Sequence, residues 1–204
     1  LRFESEIRLG YEKVEDKFRE YLVAFFVVSI LLFLLFSFFY IYRGDYFENH
    51  KILVLIGFLM YSIVFFSWII INYQFPVYII PIAMFSILIT VLLDTTVALI
   101  SSTILILLIS LLIGNDLDFA IIQFIIACIA IFSVRKLRKR RQIIATMITL
   151  VFCSLFVFFS VMLFKGIDFL DYNYSTVGYL ALASFLCPIL SFGLVPLFES
   201  FFGI

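Results

Sequence analysis

The chain has 204 residues, 65% hydrophobic and 14% charged, and its 14 basic and 14 acidic residues cancel to a formal net charge of zero. That balance gives no whole-chain electrostatic reason to expect a nucleic-acid partner, and a mean hydropathy of +1.23 is too high for a soluble core. Cys128, Cys153 and Cys187 lie inside apolar blocks with no short spacing between them, which argues against a disulfide framework or a zinc site and leaves them as small packing residues.

Residues 1–20 are charged and amphipathic. Ile7, Tyr11, Val14, Phe18 and Tyr21 recur at 4-3-4-3 spacing, the pattern of a coiled-coil seam or of a helix packed on a neighbouring domain. No signal peptide is visible at this start. The segment is read as a juxtamembrane piece ending an outer domain, and the whole chain as part of a longer protein.

Seven apolar blocks follow, predicted to span a membrane at 21–42, 52–73, 77–93, 95–114, 119–134, 143–164 and 177–198. A hydrocarbon core of roughly 30 Å needs about 20 apolar residues per helix. The third, fourth and fifth blocks are short and call for burial or limited tilt. From Val77 to Ile113 the apolar run is 37 residues, about 55 Å as one helix, so it must break. Asp94 is its single charge, and Asp94-Thr95-Thr96 has the chemistry of an N-cap. The expectation is that the Asp94 carboxylate caps the following helix. Pro188 is predicted to kink the last span, aided by Gly193, and either a moving lever or static packing would suit that kink.

Charge placement sets the orientation. The loop Arg135-Lys136-Leu137-Arg138-Lys139-Arg140-Arg141 carries six cations, and with Arg43 and Lys51 one side of the membrane collects eight. The other side, apart from residues 1–20, holds only Lys165, against Asp116, Asp118, Asp168 and Asp171. The positive-inside rule then puts the N-terminus outside and the C-terminus in the cytoplasm. The five cations before Tyr21 oppose this, but they count little if they belong to a large translocated domain.

Motifs for chemistry are scarce. His50 is the sole histidine, and no G-x-S-x-G, H-E-x-x-H or P-loop occurs. Asp94 and Glu199 fall at predicted inner ends. Mid-span polar groups are neutral: Gln123, Ser101-Ser102-Thr103, Thr90, Ser154, Ser160 and Ser184. They read as interhelical hydrogen bonding, with a neutral-solute path through Gln123 and residues 101–103 as the alternative.

From Pro81 onward the chain resembles a known family. The matching pieces are Pro81-Ile82-Ala83-Met84, then Leu92-Leu93-Asp94 with Ala98-Leu99, and Gly114-Asn115-Asp116-Leu117-Asp118-Phe119-Ala120. Phe132-Ser133-Val134-Arg135, Leu194-Val195-Pro196-Leu197-Phe198-Glu199 and Phe202-Gly203-Ile204 complete the set. In this order they resemble the membrane domain of bacterial seven-transmembrane HD phosphohydrolases, whose characterised members hydrolyse cyclic di-AMP. Thr95 departs from the family, which often has proline there. The resemblance implies an outer sensor before Leu1 and a cytoplasmic HD hydrolase, holding two metal ions, after Ile204.

The expectation is therefore an all-α, polytopic integral membrane bundle of seven spans in a bacterial plasma membrane. Residues 21–198 form the bundle and 199–204 the junction to a cytoplasmic domain. The chain would anchor and couple, with no catalytic, cofactor or metal residues of its own. Its coupling candidates are Asp94, Pro188, Arg135, Lys136, Arg138, Lys139, Arg140, Arg141 and Glu199. The expected partners are the lipid bilayer, its own sensor and HD domains and, as an option, a second copy. A small permease or channel for a neutral or lipid-like solute is the other reading.

Overall fold

The computed structural model describes residues 2–48, 50–135, 141–166 and 174–203, with side chains described at 19, 21–46, 50–135, 143–166 and 174–203. Among the described residues, eight α-helices follow one another: α1 (Arg2–Tyr42), α2 (Gly44–Glu48), α3 (His50–Asn72), α4 (Ile82–Leu92), α5 (Thr95–Ile113), α6 (Leu117–Val134), α7 (Arg141–Phe164) and α8 (Tyr174–Phe202). A single 3₁₀ turn, Val77–Ile79, precedes α4. No strand occurs among the described residues.

Among the described residues, six helices are long and apolar enough to cross a membrane: residues 21–42 of α1, then α3, α5, α6, residues 143–164 of α7, and α8. Their outward faces are apolar, with Phe25, Phe33, Tyr61, Trp68 and Phe152 all more than half exposed. Such a continuous apolar surface suits lipid and not water. On α3 the rings of Tyr61, Phe65 and Trp68 stack in a row, 6.2 Å apart.

The predicted third span is not one helix. Pro81 has no N–H to donate and restricts Ile80 before it. The chain accordingly makes the Val77–Ile79 turn, runs extended at Ile80, and starts α4 only at Ile82. An 11-residue helix is about 16 Å long, half a bilayer core. It survives because it is central. Ile82, Ala83, Phe85, Ser86, Ile87, Leu88, Ile89 and Leu92 are all buried, against α3, α5, α6 and α8. α7 packs on α6 and α8, while α1 touches little besides α5 and α2.

The α5–α6 turn is tightly specified. Gly114 and Asn115 both take left-handed backbone, φ 106° and 65°, a geometry that glycine adopts freely and asparagine tolerates. The Asn115 N–H reaches back to the Ser110 carbonyl at 2.9 Å, closing a Schellman-type end. Asp116 then caps α6, accepting from the N–H groups of Asp118 (3.0 Å) and Phe119 (3.1 Å).

Neutral hydroxyls bond within and between helices. Ser86 and Ser102 pair at 2.8 Å between α4 and α5. Thr90, Thr103 and Ser160 donate back to the carbonyl four residues earlier, and Ser154 to the one three residues earlier. The Ser101 hydroxyl is buried without a partner.

Candidate functional site

The described loops sort into two ends. At one end, the Arg43 guanidinium, just past α1, pairs with the Asp94 carboxylate of the α4–α5 turn. It also lies over the Tyr46 ring of α2, 5.4 Å from the centroid, a cation–π arrangement. Asp94, Thr90, Thr95, Arg135 and Phe192 line a polar pocket of about 270 Å³, bringing the ends of α4, α5 and α6 to the last third of α8. A methyl group at Gly203, after α8, would sit 3.7 Å from the Lys51 Nζ at the start of α3. Arg43, Lys51, Asp94, Arg135 and the end of α8 thus share one face, as the charge pattern groups them.

The opposite end carries the acidic turn. Lys165, after α7, pairs with Asp118 at the start of α6. That hydrogen bond holds the ammonium charged to higher pH than an ordinary lysine. Beneath it Tyr78 packs on Phe119 and Phe158, centroids 6.0 and 5.3 Å away. Because Tyr78 belongs to this end and Asp94 to the other, Val77–Leu92 carries the chain between them.

Asp94 occupies the N-cap of α5 with extended backbone, φ −158° and ψ 153°, but its side chain makes no cap hydrogen bond. This corrects the expected capping role: the carboxylate turns to Arg43 instead, since a full charge attracts it more than a peptide N–H does. The cap chemistry expected at Asp94 is found at Asp116.

Pro188 is buried inside an α8 that runs unbroken from Tyr174 to Phe202. Its missing N–H leaves the Ser184 carbonyl without the usual helical donor. One turn on, the Ser191 hydroxyl donates to the Cys187 carbonyl at 2.7 Å and faces the Met84 carbonyl of α4 at 3.2 Å. Glu199 is exposed, and its carbonyl accepts the Gly203 N–H at 2.9 Å. Arg135 is exposed. Lys136, Arg138, Lys139 and Arg140 lie outside the described residues, and Arg141 is described only in its backbone as the start of α7. Most of the 1–20 seam is likewise outside the described side chains.

Tyr46, Phe192 and Ser191 carry no mark in the sequence, and Arg43 enters it only as a cation in the charge count. An arginine ending a long apolar run is a visible signal; a partner 51 residues away is not.

Nothing in this constellation resembles a hydrolytic centre. Among the described residues, no three His, Cys, Asp or Glu side chains cluster to hold a metal, and the described cysteines are free thiols. Gln123 is buried beside a void of about 10 Å³ lined by Tyr78, Ala83 and Ser184, with none of residues 101–103 in its wall. What the arrangement can do is tie helix ends together across a bundle.

A family model for the 7TM receptor with intracellular HD hydrolase matches residues 18–204. The chain belongs to this family. No curated protein and no solved structure shows a match. In this 7TM receptor domain the match begins at Phe18, just before the apolar part of α1, and takes in every helix after it. The Arg43–Asp94 contact, the Arg135 pocket and the Ser191 bridge all fall within the matched region.

Proposed function

We propose that this chain is the anchoring and signal-coupling domain of a membrane-bound cyclic-dinucleotide phosphodiesterase. It crosses a bacterial plasma membrane seven times, N-terminus outside and C-terminus in the cytoplasm. Residues 1–20 lead in from an outer sensor, 21–198 form the bundle, and 199–204 join a cytoplasmic HD domain that holds two metal ions. The observation that carries this reading is the family match through to residue 204. Supporting it, Val77–Leu92 joins the two ends of the bundle and supplies the crossing that the six long helices lack. The presence of Arg43, Lys51 and Arg135 on the Asp94 face supports the orientation.

Coupling then works through contacts, with no chemistry in the bundle. A displacement at the Asp118–Lys165 end is transmitted by α6 and α7 to α8, and by α4 to the Asp94 face. Asp94, Pro188, Arg135, Lys136, Arg138, Lys139, Arg140, Arg141 and Glu199 are the candidate coupling residues. A two-metal hydrolase needs histidines and carboxylates converging on ions about 3.5–4 Å apart, and one histidine in 204 residues does not supply that.

The test compares two proteins reconstituted in lipid. The 204-residue chain should leave cyclic di-AMP intact, and the protein carrying the native sequence beyond Ile204 should hydrolyse it with manganese or iron. Pro188→Ala in that longer protein should change the rate or the response to ligand of the outer domain. Turnover by the 204-residue chain would refute the non-catalytic assignment. A longer protein inert towards cyclic dinucleotides would remove the substrate.

A further inference from the structure

Between α3 and α8 the bundle opens into a cleft of about 420 Å³. Its walls include Ile63 and Phe66 of α3, Leu186 and Leu190 of α8, and at its floor Pro81 and Met84. The size falls in the range of small-ligand sites, roughly 300–1,000 Å³. No charged residue lines it. Ser62 is its one hydroxyl, and that donates to the Phe58 carbonyl at 2.7 Å. Pro81 has no N–H. The Cys187 thiol also lines it and is engaged by the Met84 backbone, so an occupant finds an almost wholly hydrocarbon wall.

The cleft is also placed for one particular phase. Ser62 to Phe66 lie mid-way along α3, and Leu182 to Leu190 mid-way along α8. Its mouth is continuous with the outward apolar faces of both helices, where Phe58, Phe65, Phe185 and Ile189 are exposed. A wholly uncharged lining at mid-helix depth matches a hydrocarbon chain of the bilayer.

We propose that this cleft is a lateral lipid site that takes one acyl chain of a bilayer phospholipid, leaving the headgroup outside the bundle. The floor gives the site a further consequence. Met84 and Cys187, which line the cleft, supply the two carbonyls that Ser191 approaches, and Pro188 follows Cys187. A chain seated there bears directly on the α4–α8 seam at the point where α8 lacks a backbone hydrogen bond. Only this consequence rests on reading α8 as the output helix; the binding does not.

The test uses the 204-residue chain, purified with phosphatidylglycerol and phosphatidylethanolamine and examined by native mass spectrometry. One retained phospholipid per chain is expected. Ser62→Phe and Ala183→Phe fill the cleft from opposite walls and should lose it. Ser29→Phe adds the same ring to the exposed face of α1 and should keep it. A phospholipid with a photoreactive acyl chain should label the wild-type chain within residues 182–190, and this decides the matter if a filled variant fails to fold. Equal retention in folded wild type and filled variants, or label spread evenly over α1 and α8, would overturn the site. So would a lipid-free dimer that both filled variants abolish, since the occupant would then be a second copy.

Discussion

Arg43 leaves the end of α1 and meets Asp94 with Tyr46 beneath it, and the three groups hold α1, α2 and the α4–α5 turn in one place. Both charged side chains keep about a third of their surface exposed, so solvent screens the pair and about 1 kcal/mol is a fair magnitude. A double-mutant cycle of Asp94→Asn with Arg43→Ala, read by thermal unfolding in lipid, should return a coupling of that size; additive effects would show that the pair contributes nothing. Asparagine is a good N-cap, so a cap would tolerate this change, and the expected loss of stability separates the two roles. Asp116 is the contrasting case. Asp116→Ala should cost about 0.5–2 kcal/mol, and Asp116→Asn much less, because the carboxylate there accepts two backbone N–H groups. Both aspartates look alike in sequence, each preceding a helix by one residue. Only a distant arginine distinguishes them, and local patterns do not record it.

Among the elements, α5 to α8 were legible because turn chemistry or charge bounds them: Gly114-Asn115-Asp116, the basic loop, and Lys165 onward. The interruption within the third block was not. Val77 to Leu93 carries no charge and only Ser86 and Thr90 as hydroxyls beside Tyr78, and a segment hydrophobic on nearly every side offers little from which to read its packing. Pro76 and Pro81 were visible, yet proline is tolerated in membrane helices, so their effect depended on neighbours that only the fold supplies. α8 presents the reverse situation, since Pro188 and Pro196 lie inside it and the helix continues. Its tie to α4 is the Ser191 hydroxyl. Ser191→Ala should lower stability by about 0.6 kcal/mol, the average for such bonds between membrane helices, and by no more than about 1.7. The same measurement on Ser160→Ala, whose hydroxyl bonds only within α7, should show less. Equal losses would mean that the reach to Met84 carries no energy.

At the scale of the whole molecule, sidedness is the decisive expectation. Cysteines placed singly at Lys139 and Asn173, in a chain without Cys128, Cys153 and Cys187, should differ towards an impermeant thiol reagent in intact cells. Asn173→Cys should react and Lys139→Cys should not; the opposite pattern would invert the topology. The short central helix bears on how that topology is reached during synthesis. Eleven residues are too few to bridge the hydrocarbon core unaided, so α4 has little tendency to enter the bilayer when it first leaves the ribosome. In the proposed topology it would enter together with α5, as a hairpin closed at Asp94. A step skipped there would reverse the sidedness of every later helix, placing the basic loop on the wrong side. In the proposed topology the cations from Arg135 to Arg141 would hold the loop after α6 on the inner side and so oppose an insertion that had skipped α4, some forty residues earlier.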